Sequence, residues 1–470
     1  MAMRECSMTH PSTPSSHDEP RGSVGQGEAS GAAPVGGASG LGDAGGASRS
    51  AGRGLALVLG GTVLSAASSF IVLLIVAPAL GPEGYASFSV YWGALFMLVA
   101  VLFGVQQETT RGVAARLAPH SAAPHSGVPR SGTARSTSTL AYAAVIAATL
   151  LVVIAGSGSL WSERLFGSGA GSWAIPLAVA VAAYVVVAAV NGILAGTETW
   201  GPFALLAVID AVLRLAFVGV VLIGDWGGTA LAWAVALPFP LSLAVVFLLR
   251  RTHLLAHARV AESRGQLTAN IGRTVAASIA TAVLINGFPV VLSLVGGADQ
   301  AELGAVVLAV TLTRAPILVP LTALQSMLIS RFSGAPAGRM KLLLVVVAVI
   351  AALTALVVMF VWAWGGPLLA MFFGDGFVLA PAILAALVAA AGCLGVVTAT
   401  GAAVLSTGNH TMFAVGWITA AVIAVVAVAI PFAGLGERVA LALVVGPLIG
   451  AALHAISLTA KSGRRERAQL

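Results

Sequence analysis

LGPEGYASF, from Leu80 to Phe88, is the stretch on which the reading of this chain turns. It is a short acidic hairpin containing Gly and Pro, set between apolar runs at about residues 54 to 80 and 86 to 106. Each run is close to the roughly 20 apolar residues that an α-helix needs to cross a hydrocarbon core. The hairpin therefore reads as the turn between two membrane spans.

Working outward from it, ten further apolar runs appear, near residues 140 to 160, 172 to 194, 203 to 224, 229 to 249, 271 to 295, 302 to 330, 341 to 363, 379 to 404, 411 to 431 and 438 to 459. A transmembrane barrel would alternate every second residue over about ten residues. These runs are apolar on all sides, so the expected fold is an all-α polytopic membrane protein of about twelve helices. The composition agrees. Of 470 residues, 58% are hydrophobic and 9% charged, against about 45 to 50% and about 25% in soluble domains. With a mean hydropathy of +0.99, the chain lacks the polar surface to coat a soluble globule. A cytosolic enzyme, a secreted disulfide scaffold and a disordered protein are excluded.

The net charge of +7 raises the question of nucleic acid, and the positions of the basic residues answer it. Twenty of the 24 Lys and Arg lie before helix 1, after helices 2, 6 and 8, and after helix 12, all on one side if the helices alternate. Arg164 and Arg438 fall on the other side, and Arg214 and Arg314 lie within spans. By the positive-inside rule, both termini are expected in the cytoplasm and the protein in the cytoplasmic membrane. No nucleic-acid partner is expected. Cys6 and Cys393 supply neither a disulfide framework nor metal-ligand spacing, and the first residues lack the pattern of a signal peptide.

The chain divides into a Gly- and Ser-rich tail at 1–53, read as disordered, an N-terminal six-helix half at 54–249, a cytoplasmic linker at 250–270, a C-terminal half at 271–460 and a basic tail at 461–470. Three matches relate the halves in the same order. Leu80 to Phe88 pairs with Val295 to Val306; Gln106 to Arg111 pairs with Gln325 to Arg331; and Leu194 to Ala204 pairs with Leu405 to Ala414. Two halves that each begin and end on one side are parallel repeats about an axis along the membrane normal, with room for a central cavity.

These residues also carry a resemblance. LGPEGYASFSV (Leu80 to Val90) and GVQQETTR (Gly104 to Arg111) resemble the polysaccharide-biosynthesis flippases of the multidrug/oligosaccharidyl-lipid/polysaccharide exporter superfamily. Ala86 stands where many relatives carry Gly. The resemblance implies transfer of an undecaprenyl-diphosphate-linked glycan from the cytoplasmic to the outer leaflet by alternating access. It also implies membrane lipids and a polysaccharide polymerase or glycosyltransferase machinery as partners.

Arg314, mid-span in TLTRAPILVP, is the sharpest candidate. An Arg at the centre of a span costs about 2.5 to 3.5 kcal/mol on insertion scales. A wet cavity in which it meets a lipid diphosphate would offset that cost; snorkelling or a structural ion pair would do so as well. Asp210 and Arg214, at i and i+4, are expected to pair, with a functional opening of the pair as the sharper alternative. Asn191 and Asn286 read as interhelical hydrogen-bond glue or as cavity groups. Arg111 and Arg331, with Gln107 and Gln325 nearby, occupy equivalent cytoplasmic helix ends, which suits positive-inside bias or a cytoplasmic gate. His253, His257 and His454 read as solvated or interfacial, with no metal-like spacing. No phosphate loop or nucleophile elbow occurs, so no cofactor and no enzyme activity are expected. The rival readings are a small-molecule exporter of the same superfamily, and a membrane-embedded glycan-assembly enzyme or scaffold.

Overall fold

A single residue divides the first long helical stretch. Ala44–Leu117 is helical throughout except at Gly81, where φ is 66° and ψ is 178°. A straight helix of 74 residues would run about 110 Å at 1.5 Å per residue, several times the roughly 30 Å of a hydrocarbon core. The break makes it two spans with a one-residue joint. That backbone conformation is open in practice only to glycine.

The structure, a computed structural model, describes residues 44–117, 136–295, 299–334 and 338–467. Most of the stretch read as a disordered tail therefore lies outside the described residues, and helix is present from Ala44. Twelve spans make up the described residues. They are α1 (44–80), α2 (82–117), α3 (Thr139–Phe166), α4 (Ala174–Gly196), α5 (Trp200–Gly224) and α6, in two consecutive parts, α6a (Gly227–Ala236) and α6b (Pro238–His257). Then come α7a (Arg264–Ile285) and α7b (Phe288–Val295), α8 (Gln300–Gly334), α9 (Arg339–Phe373), α10 (Pro381–Leu405), α11 (His410–Ala429) and α12 (Leu435–Arg467).

Helix ends follow local chemistry. Ser263 and Gln266 form a reciprocal capping box at the start of α7a, and Asn409 caps α11 by accepting from the Met412 N–H. Each satisfies backbone donors that a helix start leaves orphaned. Of the 250–270 stretch, α6b continues through His257 with a kink at Arg250, and α7a begins at Arg264. Between them Arg259–Val260 pairs antiparallel with Thr137–Ser138. The α12 backbone runs on to Arg467, within the stretch read as a basic tail.

The duplication is written into burial. The most apolar windows of α3 and α9 are each 11% buried, those of α4 and α10 are 72% and 67%, those of α5 and α11 are 28% and 33%, and those of α6 and α12 are 50% each. Helices three to six of one half thus repeat the pattern of the other. The packing agrees: α3 lies on α4 as α9 lies on α10, and α4 on α6b as α10 lies on α12. In each half the fourth helix is the central one. The third faces outward with large apolar side chains, such as Leu356, Met359 and Phe360 of α9. Such a surface is stable only in hydrocarbon.

The halves meet at the end of the bundle that carries the Gly81 joint. The carbonyl of Pro82 packs directly on Gly304 of α8, and the Tyr85 ring meets Phe377 edge-on at 5.9 Å. Ser293 of α7b donates to the Leu165 carbonyl of α3 at 2.7 Å.

Candidate functional site: a cavity between the halves

The first two helices of each half, α1 and α2 with α7 and α8, enclose a cavity of about 240 Å³. Phe70 and Leu73 of α1, and Tyr85, Ser89, Trp92, Gly93 and Phe96 of α2, form one wall. Asn286, Phe288, Pro289 and Leu292 of α7, and Val307, Val310, Thr311, Arg314 and Leu318 of α8, form the other. Because the contributing helices are repeat equivalents, the cavity lies where the two halves face each other. Among the described residues lining it, Arg314 carries the one formal charge, and no carboxylate accompanies it.

Arg314 is held by the break in α7. Its Nη1 donates to the carbonyls of Leu284 at 3.1 Å and Ile285 at 3.3 Å, the last two residues of α7a. Its Cζ lies 5.4 Å from the centroid of Phe288, the first residue of α7b. A cation at a helix C-terminus is favoured both by the exposed carbonyls and by the helix dipole. Nη2 is buried and has no hydrogen-bond partner. Arg314 thus stands in a cavity position, held by backbone carbonyls.

Asn286 joins Arg314 in the cavity, at the α7 break, with its backbone carbonyl against Gly93 of α2. Asp210, Arg214 and Asn191, the other intramembrane candidates, are not part of its lining. Asp210 and Arg214 form the expected pair, with Nη2 to Oδ1 and Oδ2 at 2.7 and 2.5 Å. They lie behind the cavity's aromatic wall. The Arg214 guanidinium rests 5.9 Å from the Trp92 ring, 5.0 Å from Phe96 and 4.8 Å from Phe239, so Trp92 and Phe96 separate it from the cavity. Asn191 lies in α4, away from this lining, with its Oδ1 buried and unpartnered.

The residues expected at a cytoplasmic gate have different surroundings. Arg111 donates to Glu108 at 2.7 Å and to Glu262 at 2.9 Å. Glu108 also accepts from Thr274 of α7a at 2.9 Å, tying α2 to the C-terminal half. Gln107 and Arg331 are exposed, and the Gln325 side chain lies outside the described residues. His454 overturns an expectation, because it is fully buried rather than solvated. It lies within hydrogen-bond distance of Thr400 Oγ1 at 3.1 Å and of the Phe413 carbonyl at 3.2 Å.

Sequence reasoning did not single out the aromatic wall or Pro289. A signal was available for the first: Phe88, Trp92 and Phe96 recur at i, i+4 and i+8, a stripe on one face of α2. Among the described residues, no group of three or more His, Cys, Asp or Glu could hold a metal.

A multi-pass membrane protein of two six-helix repeats enclosing a cationic cavity is the class that fold and site define. Solved structures share the fold. A multidrug resistance MATE family transporter of the MOP superfamily, in an inward-facing conformation, aligns with a TM-score of 0.66 at 16% identity over 86% of this chain and 96% of that one. The outward-facing conformation of such a transporter aligns at 0.59, with 16% identity over 88% and 96%. No family model matches the chain. Among curated proteins, the uncharacterized protein Rv1510 of Mycobacterium tuberculosis is 34% identical over 412 residues, covering 86% of this chain and 91% of that protein. The uncharacterized protein Mb3654 of Mycobacterium bovis is 32% identical over 408 residues, covering 87% and 92%. The chain belongs to the family of these mycobacterial proteins.

Proposed function

We propose that this protein is a transporter that flips an anionic, lipid-linked substrate, an undecaprenyl-diphosphate-linked oligosaccharide or exopolysaccharide precursor, from the cytoplasmic to the outer leaflet of the cytoplasmic membrane. The observation that carries this reading is the buried, unpartnered Nη2 of Arg314 in a cavity whose lining includes no acidic residue. A desolvated guanidinium with an open donor favours an anion, and phosphate groups match its planar fork. At about 240 Å³ the cavity takes a headgroup-sized anion, so in this conformation the remainder of a glycan extends beyond it.

Alternating access of the two halves is the cycle this reading implies. The halves touch at the end that carries Gly304 and Pro82, and the fold is known in inward-facing and outward-facing conformations of MATE transporters. The halves also touch at the opposite end, where Thr274 of α7a donates to Glu108 of α2. A glycan polymerase or glycosyltransferase is the expected neighbour in the membrane.

A second reading, export of a small molecule, draws on the aromatic wall of Trp92, Phe96 and Phe288, a surface that also suits cationic drugs. The cationic Arg314 opposes such substrates. Reconstitution into liposomes separates the two. A fluorescent diphosphate-linked glycolipid should change leaflet in the presence of the protein, whereas a cationic dye should not cross. Dye transport without glycolipid transfer would establish the second reading and end the first.

A further inference from the structure

Two chemical facts meet at Ile285. Four residues after it stands Pro289, which has no N–H. No straightening of α7 can therefore give the Ile285 carbonyl its helical i to i+4 bond. Arg314 Nη1 fills that role from the neighbouring helix, while Nη2 of the same guanidinium is buried in the cavity with no partner. One side chain thus holds the end of a broken helix with one nitrogen and offers the other to the cavity.

The helix it holds is attached to both halves. On the N-terminal side, Thr274 of α7a bonds Glu108 of α2, and Ser293 of α7b bonds the Leu165 carbonyl of α3. On the C-terminal side, both parts of α7 pack on α11. α7a is itself bent by 40° between Ala276 and Ser278. A change of bend at Asn286 and Gly287 would shift the halves relative to each other.

We propose that Arg314 couples the content of the cavity to the shape of α7. A diphosphate drawn onto the guanidinium competes with the Leu284 and Ile285 carbonyls, and the loss of that cap releases the bend of α7. Arg314 then acts as a positioning residue as well as an anion-binding one, through differential contacts with the ligand-free and ligand-bound states. The inference rests on the reading of the cavity as an anion site.

The test uses the full chain in lipid nanodiscs, with farnesyl diphosphate as probe and inorganic diphosphate alone as a second arm. Calorimetry reports binding, and hydrogen–deuterium exchange of the peptide covering residues 282–295 reports α7. On binding of farnesyl diphosphate, exchange at the break should rise about tenfold, the scale expected for losing a hydrogen bond to a charged group. Inorganic diphosphate should give the same rise at higher concentration if the headgroup alone is recognised. Arg314→Gln should exchange rapidly with or without probe. Pro289→Ala restores an N–H for the Ile285 carbonyl, so it should slow exchange and tighten probe binding severalfold by freeing the guanidinium. Binding without any change in exchange would overturn the coupling and leave the anion site standing. Absence of binding in the unmodified protein would overturn both. Unchanged affinity in Pro289→Ala would also overturn the coupling, and that variant keeps the test open if Arg314→Gln fails to fold.

Discussion

Asp210 and Arg214 face each other across one turn of α5, with Nη2 2.7 Å from Oδ1, and Trp92 and Phe96 stand between them and the cavity. The side chains are 14% and 4% exposed, so the charges are desolvated together. Breaking such a pair from one side leaves an uncompensated charge, at a cost of about 3 to 5 kcal/mol, whereas replacing both partners by apolar groups of similar size is close to neutral. Asp210→Asn should therefore lower thermal stability in detergent markedly, and Asp210→Leu combined with Arg214→Met should restore most of it. If the double variant also transports, the pair is structural. Loss of transport at normal stability would give it a role in the cycle.

Arg314→Lys keeps the charge but not the fork. An ammonium is a compact point charge and cannot reproduce the planar donor arrangement that spans two carbonyls and a cavity. Leaflet transfer of glycolipid should fall about tenfold or more, with protein abundance in the membrane unchanged. Arg314→Ala should abolish it, and wild-type transfer by that variant would remove the cavity cation from the mechanism.

The seam between the halves depends on Gly304, because any side chain there would run into the carbonyl of Pro82. Gly304→Leu should hold that end apart. In a background with Cys6 and Cys393 replaced, a cysteine introduced at Thr311 should react faster with an impermeant thiol reagent added from the Gly304 end. Equal labelling in both backgrounds would show that the seam closes in some other way.

Arg111 bridges Glu108 and Glu262 from a side chain that is 54% exposed. Solvent and salt screen such contacts, so Glu262→Gln should change stability by less than about 1 kcal/mol, measured by chemical or thermal unfolding. Glu108 is 14% exposed and also accepts from Thr274. Glu108→Ala should cost more than Glu262→Gln, and the reverse order would show that the link between α2 and α7a is not made through Glu108.

The spans were legible in the sequence because a bilayer imposes a length, and twelve apolar runs met it. The repeat was legible from its turns, where Leu80 to Phe88 and Val295 to Val306 keep their order, and matched burial in α3 to α6 and α9 to α12 bears it out. Arg314 stood out through its insertion cost, and Asp210 with Arg214 through helical spacing. The break in α7 was harder to see. Gly287 and Pro289 stand beside Asn286 in a long, mostly apolar run, and membrane helices tolerate Gly and Pro when neighbours re-satisfy the backbone. Which face each helix presents was not legible either. Spans that are apolar all round carry little polarity to mark an inner side, so the wall separating Arg214 from the cavity depends on packing alone. His454 shows the same limit: its contacts lie 41 and 54 residues away in sequence, on α11 and α10.

The joint at Gly81 bears on how this protein is made. Helices separated by long loops must find one another in the bilayer, and the search costs loop-closure entropy. With one residue between them, α1 and α2 remain tethered end to end from the moment the second is synthesised, so their pairing needs almost no search. They offer a ready-made template for the later helices. Ser65 and Ser68 of α1 present hydroxyls that bond the Ala207 and Ala211 carbonyls of α5, so assembly of the N-terminal half can proceed on a pair that already exists.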